Sequence, residues 1–247
     1  MLTVNIDPVL FSLGPIEIRY YGLVYILGIL LVYFYLKKKG EMSPEKIEKL
    51  LFYLVIGMFV GARIFGLLSN NVNIFSNPLE LFRVWNGGMS FFGGFFGALI
   101  GAWFVLREKM FEVGDQVVVP ISFVLIFGRL ANFINQELVG AVTDVSWCFN
   151  FVTSLGCRHP YQLYSAAGQL VLFLGVYLMS KLNFWRKGDV FFGFVLGYGV
   201  LRLVIDFFKE RAIVFWSLSI WQILGIVFIL IGLVWFLRKK KYAETGI

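Results

Sequence analysis

The sequence predicts an all-α, polytopic transmembrane helix bundle with seven spans, and three observations predict it. Hydrophobic residues make up 59% of the 247 positions, with 26 glycines not counted among them, and the mean hydropathy is +0.81. A soluble domain is only about 45–50% apolar even with glycine included. Charged residues reach 15%, well under the usual figure of about 25%. The apolar residues also gather in runs long enough to cross roughly 30 Å of hydrocarbon. A water-soluble globule of this length has too little interior to hide so much Phe, Leu, Ile and Val. Intrinsic disorder, a coiled coil, a disulfide-rich secreted scaffold and a nucleic-acid-binding domain are therefore excluded as primary readings.

Seven runs read as spans: 20–36, 50–68, 91–106, 116–135, 161–180, 190–208 and 218–237. The first ends at Lys37, Lys38 and Lys39, a basic stop. In the third, Gly93, Gly97 and Gly101 form a small-xxx-small stripe, the pattern that lets two helices approach closely. The fourth is the most interrupted, by Pro120, Gly128, Arg129 and Asn132. The connections are short, 69–90 and 136–160 being the longest. They predict a small head of loops and one integral-membrane domain over residues 1–247, with no room for a separate soluble domain.

Basic residues orient the bundle. With the N-terminus outside, fourteen Lys and Arg fall in the inner connections 37–49, 107–109, 181–187 and 238–241, against five outside: Arg19, Arg83, Arg158, Lys209 and Arg211. The positive-inside bias thus predicts the N-terminus outside, the C-terminus cytoplasmic, and the loops 69–90 and 136–160 on the outer face. The net charge of +7 is this topology signal and calls for no nucleic acid. The N-terminus lacks a basic stretch before its first apolar residues, which argues against a cleaved signal peptide. Cys148 and Cys157 are too few for a disulfide framework or a four-ligand metal site. Lying in the same outer loop, they could bridge in an oxidising compartment or stay free.

Ionisable side chains inside spans cost about 2.5–3.5 kcal/mol on insertion scales, so each is a functional hypothesis. Arg63, Arg129, Arg202 and Asp206 are such residues. Tyr198, Arg202 and Asp206 share one helix face, so Asp206 can pair with Arg202 along the helix. Arg129 shares a face with Asn132 and Gln136 and has no acid at i±3 or i±4. Its counter-charge must come from another segment or from a ligand. Arg63 has no obvious acid on its own helix; structural pairing with Asp206 or Glu137 and contact with a lipid are equal alternatives for it. Two arginines in outer halves of different helices suit an anionic ligand, because guanidinium holds phosphate bidentately. His159, the one histidine, precedes Pro160 and cannot by itself build a metal site.

The run GRLANFINQELVG, Gly128–Gly140, resembles the signature of the prolipoprotein diacylglyceryl transferase family, close to GR-x-x-NF-x-N-x-E-x-x-G. Four further segments agree in order and spacing: DPVLFSLGPIEIRYYGLVY (Asp7–Tyr25), NPLELFRVWNGGMSF (Asn77–Phe91), RHPYQLY (Arg158–Tyr164) and GYGVLRLVIDFF (Gly197–Phe208). The resemblance covers nearly the whole chain. It implies a multi-pass enzyme of the plasma membrane that moves the sn-1,2-diacylglyceryl group of phosphatidylglycerol onto the lipobox cysteine thiol of a prolipoprotein. A thioether forms and sn-glycerol 1-phosphate leaves. The implied partners are phosphatidylglycerol, the prolipoprotein signal peptide and membrane lipids; no cofactor and no metal are implied.

By the same resemblance, Arg129 matches the family's lipid-binding arginine and Arg202 a second essential arginine. Tyr21, Asn132, Glu137, Gly140, His159 and Tyr198 fall on other site positions. Arg129, Arg202 and His159 are thus expected to serve catalysis. Arg129, Tyr21, Asn132, Glu137, Gly140 and Tyr198 are expected to bind substrate. Two departures matter. Where the family has a histidine proposed as general base, in GGMSFHGG, this chain has Phe92, and where it has Glu after RHPxQLY this chain has Ser165. Phenylalanine cannot accept a proton. Either the arginines activate the thiol by their field, or His159 or a carboxylate substitutes. The alternative is a diverged, non-catalytic lipid-binding or translocating protein on the same frame.

Overall fold

The structure, a computed structural model, describes residues 2–13, 16–69, 76, 78–83, 89–182, 185–210 and 216–245, without the side chains of Tyr21, Phe91, Phe92 and 239–245 among a few others. Within these residues the chain forms seven α-helices: α1 Tyr20–Lys39, α2 Pro44–Ser69, α3 Phe91–Leu106, α4 Met110–Ile134, α5 Tyr161–Lys181, α6 Asp189–Ile205 and α7 Ile220–Thr245. Five stretches among the described residues are long and apolar enough to cross a membrane: Pro44–Leu68, Gly93–Ile134, Tyr161–Lys181, Asp189–Phe208 and Ile220–Arg238. The second of these runs through both α3 and α4. The protein is a predominantly helical, multi-pass membrane protein.

Local chemistry sets the helix ends. Gly40, at φ 71°, closes α1 by donating its N–H to the Leu36 and Lys37 carbonyls at 3.3 and 3.2 Å, the left-handed cap that glycine adopts without a Cβ penalty. Ser90 caps α3 by accepting from the Gly93 N–H at 3.3 Å. At α7 the cap is reciprocal. Ser219 Oγ accepts from the Gln222 N–H at 3.2 Å while Gln222 Oε1 accepts from the Ser219 N–H at 3.0 Å, a capping box. Pro120 lies inside α4, which continues through it.

Burial is inverted relative to a soluble protein. Phe52, Leu178 and Val171 are 61–71% exposed, whereas Gln162, Gln169, Gln222 and Asp206 are at most 1% exposed. Apolar side chains facing outward and polar ones facing inward are what a lipid solvent selects.

The chain divides into two compact units, Tyr33–Val113 and Met1–Val32 with Gly114–Ile247. In the smaller unit, α2 and α3 pack through glycines. A Cβ on Gly57, Gly61, Gly93 or Gly97 would run into the backbone of the facing helix. The stripe read from the sequence is a packing seam. Arg63 finds acceptors within its own unit. It donates to the Glu80 carbonyl (3.0 and 2.5 Å) and the Arg83 carbonyl (2.7 Å), with the Glu80 carboxylate 3.9 Å away. A buried guanidinium far from water takes the nearest acceptors, and those belong to the short 3₁₀ turn Pro78–Leu81 and its exit.

Short strands accompany this predominantly helical bundle. Among the described residues, the larger unit carries five short strands: β1 Leu2–Val4, β2 Val9–Leu13, β3 Ile16–Arg19, β4 Phe149–Phe151 and β5 Cys157–Arg158. β2 and β3 form an antiparallel hairpin. β1 pairs in parallel with β4, Leu2 against Phe149 and Val4 against Phe151, and β4 pairs antiparallel with β5. Two more segments extend this ladder. The Thr143 N–H donates to the Cys157 carbonyl (2.9 Å) and the His159 N–H to the Ala141 carbonyl (3.0 Å). Beyond them, the Ala141 N–H donates to the Phe208 carbonyl (2.9 Å) and the Glu210 N–H to the Val139 carbonyl (3.2 Å). Backbone pairing therefore ties the N-terminus, the loop after α4, the approach to α5 and the exit of α6 together.

Candidate functional site

Where α6 ends, its last residues carry the charge that hydropathy flagged. Arg202 and Asp206 pair at 3.2 Å, as the i,i+4 spacing predicts. Asp206 is fully buried, and two more groups satisfy its carboxylate: the Tyr161 hydroxyl donates at 2.7 Å and the Ser219 hydroxyl at 3.4 Å. Tyr161, the first residue of α5, also accepts from Arg202 Nη1 at 2.8 Å. Arg202 further lies over the Trp221 ring, 5.2 Å from its centroid. Four elements thus hold one guanidinium in place.

Lys209, in the sequence only one of the outer topology charges, joins this group. The ladder residues Phe208, Lys209 and Glu210 alternate in side-chain direction. Phe208 packs on His159 and Tyr164, with ring centroids 5.3 and 5.5 Å apart, and Glu210 pairs with Arg158 at 2.9 Å. Lys209 turns the other way and sets its Nζ 5.8 Å from both the Tyr161 and the Trp221 ring centroids. Burial lowers its pKa, and the positive charges of Arg202 and Arg129 add to that lowering against the opposing pull of Asp206. Arg202, Asp206 and Lys209 follow one another at helical spacing, so the end of α6 itself brings them near, whereas the approach of Arg129 comes from a distant segment.

Arg129 reaches the same cluster from α4. It is half-buried, acts electrostatically on both Tyr161 and Lys209, and makes one long hydrogen bond, to Asn132 Oδ1 at 3.4 Å. Among the described residues no carboxylate lies within ion-pair distance of it. Asn132 in turn donates to Glu137 Oε2 (3.2 Å), and Asn135 donates to Oε1 (3.2 Å). The turn that follows α4 is set by the Glu137 N–H donating to the Asn132 carbonyl (2.9 Å) and by buried Gln162 donating to the Glu137 carbonyl (2.7 Å). Gly140 is buried against His159, where a Cβ would strike the His159 carbonyl and side chain. Only glycine fits that register.

Other expected positions are placed as follows. The ring of His159 faces Tyr164, with Nδ1 3.3 Å from the hydroxyl, and that hydroxyl accepts from Trp147 Nε1 at 2.6 Å. Tyr198 is half-buried between Phe194 and Phe228 and interacts electrostatically with Arg202. Tyr21 opens α1 and Phe92 opens α3, but both side chains fall outside the described residues. Cys148 and Cys157 form a disulfide across β4 and β5. Arg158, next in sequence, has a nearly buried side chain that donates to the Gly140 carbonyl (3.1 Å) and the Leu155 carbonyl (3.0 Å). No group of three or more potential metal ligands occurs among the described residues.

The cluster therefore carries three cations, Arg129, Arg202 and Lys209, against the single carboxylate of Asp206. An aromatic floor lies beneath two of them. A polytopic helical protein with that excess positive charge on half-buried side chains has the form of a membrane protein that handles an anionic lipid group. A family profile described as prolipoprotein diacylglyceryl transferase matches residues 8–238. The chain is 38% identical to the phosphatidylglycerol–prolipoprotein diacylglyceryl transferase of Rickettsia bellii, covering 98% of both chains. It is 37% identical to that of Pseudoalteromonas atlantica, over 98% of this chain and 94% of the other, and 40% identical to that of Geobacter sulfurreducens over 83% of each. The chain belongs to the prolipoprotein diacylglyceryl transferase family.

Proposed function

We propose that this protein is a membrane transferase that moves the diacylglyceryl group of phosphatidylglycerol to the lipobox cysteine of a prolipoprotein signal peptide. It works as a single domain of seven spans in the plasma membrane, with its N-terminus outside, its C-terminus cytoplasmic and its site at the outer leaflet. The observation that carries this reading is the pair of guanidiniums, Arg129 and Arg202, around Tyr161, with Asp206 on Arg202 and no carboxylate within ion-pair distance of Arg129 among the described residues. A phosphate diester bears one negative charge and is recognised by such forks.

The reaction needs a thiol to attack a glyceryl carbon while the bond from that carbon to phosphate oxygen breaks. The sulfur–carbon bond forms, the electron pair of the broken bond leaves with glycerol phosphate, and the thiol proton goes to a base. Arginines aimed at the phosphate stabilise the charge that grows on it in a site shielded from water. They also favour the thiolate, whose free pKa is about 8.5. Asn132 and Tyr198 orient the head group, and Tyr21 is a further head-group residue by its match to the family motif. Glu137, exposed and braced by Asn132 and Asn135, receives a substrate amide, and Gly140 keeps that loop against His159. With phenylalanine at position 92, the proton falls to His159, whose Nδ1 is engaged with Tyr164 while Nε2 makes no hydrogen bond among the described residues. No metal or cofactor is required by this route.

The test is direct. Purified protein, phosphatidylglycerol and a lipobox peptide are incubated, and the diacylglyceryl adduct is sought by mass spectrometry. Wild-type protein is expected to form it, and Arg129→Ala to lose it while keeping the wild-type melting temperature. Full activity in that variant would refute the assignment of Arg129, and no adduct from the wild type would refute the activity.

A further inference from the structure

Lys209 is the cation of the site that the sequence resemblance leaves without a role. Its ammonium has three N–H donors and is half-buried, yet among the described residues it has no hydrogen bond and no carboxylate within 4.0 Å; its neighbours are the faces of Tyr161 and Trp221. A ring face attracts a cation but accepts no conventional hydrogen bond. The nearby carboxylate, Asp206, already serves Arg202, Tyr161 and Ser219. Partly desolvated ammonium groups normally find acceptors. Those uncommitted donors beside Arg129 and Arg202 therefore describe the place of an anion.

We propose that Lys209 is the third cation of the site and donates to the phosphate of the glycerol phosphate leaving group as that group acquires its second negative charge. The inference rests on the transferase reading. The diester phosphate of the substrate carries one charge, which the two arginines hold, whereas the departing monoester approaches two. An interaction that strengthens only as the bond breaks raises kcat rather than lowering KM. The ladder makes this placement stiff, because Phe208 on His159 and Glu210 on Arg158 hold the backbone on either side while Lys209 alone faces the cluster.

Lysine also titrates where arginine does not. The groups facing Lys209 are Arg202 and Asp206 from α6 and the turn after it, Arg129 from α4 and Tyr161 from α5, with the Trp221 ring from α7. Burial and the two arginines place its pKa below the usual lysine value. Anion affinity is therefore full while Lys209 is protonated and falls as pH rises through that lowered pKa.

Three measurements on the full-length protein test this. Kinetics of adduct formation should show Lys209→Met losing kcat by roughly 10- to 100-fold, the size of one charge-assisted hydrogen bond, with KM for phosphatidylglycerol changed by less than about threefold. Lys209→Arg should recover most of the rate. Inhibition by sn-glycerol 1-phosphate should weaken about tenfold or more in Lys209→Met. In the wild type it should weaken with rising pH, a dependence that Lys209→Arg removes. A kcat within about threefold of wild type in Lys209→Met, or a loss that arginine does not restore, overturns the proposal. Should Lys209→Met fail to fold, the pH dependence of glycerol phosphate inhibition in the wild type and Lys209→Arg decides it alone. Calorimetric binding of glycerol phosphate to these proteins separates this inference from the activity itself, since it needs no peptide and no turnover.

Discussion

Arg202 and Asp206 show how one buried pair organises its surroundings. The carboxylate is fully buried and accepts from a guanidinium, a phenol and a hydroxyl, so its desolvation is offset by three hydrogen bonds. Removing one member of a buried pair costs about 3–5 kcal/mol, because the other is left without its counter-charge. Asp206→Asn keeps the shape but not the charge. It is expected to lower the melting temperature measured in detergent and to cut the transfer rate, whereas a variant as stable and as fast as wild type would mean that Arg202 needs no such anchor. Arg129 behaves differently. Its weak contact with Asn132 leaves it available, which is why its alanine variant should lose activity without losing stability. The i,i+4 pair was legible from spacing alone, since helix geometry is local. The partner of Arg63 was not, because the acceptors come from a turn outside its helix.

At the scale of elements, two kinds of joint appear. Helices α2 and α3 meet through glycines whose absent Cβ atoms let backbone lie on backbone, the close approach that drives association where lipid removes the hydrophobic incentive. Gly97→Leu should therefore separate α2 from α3 and reduce thermal stability and expression, read by size-exclusion chromatography and a melting curve. An unchanged melting temperature would argue against the seam. The stripe Gly93, Gly97, Gly101 announced this joint because a four-residue period survives in the sequence. The second joint is the ladder of short strands around the site. Its strands are two or three residues long, too short for an alternating pattern to register. The pairing of Leu2 with Phe149 is a contact that only the folded chain makes.

For the molecule as a whole, the Cys148–Cys157 bridge fastens β4 to β5 beside Arg158, which holds Gly140 and Glu210. A disulfide typically contributes about 2–4 kcal/mol. The double variant Cys148→Ser with Cys157→Ser is expected to melt at a lower temperature and to lose transfer activity on warming earlier than wild type. Equal melting curves would show that the ladder holds without the bridge. Such a bridge persists in an oxidising compartment, in keeping with the proposed outer face.

Hydropathy, glycine period and the spacing of charged residues along one helix determined that this protein is a polytopic helical membrane protein, that Arg202 meets Asp206, and which family motifs it carries. These are properties of runs and turns, where the physical cause lies within a few residues. Only the tertiary structure decided that Arg129 joins Arg202 and Lys209 around Tyr161, that Arg63 serves a turn outside its own helix, and that the cysteines close a bridge. Those outcomes depend on backbone pairing between distant segments, and the energy of such pairing is realised only when the chain has folded.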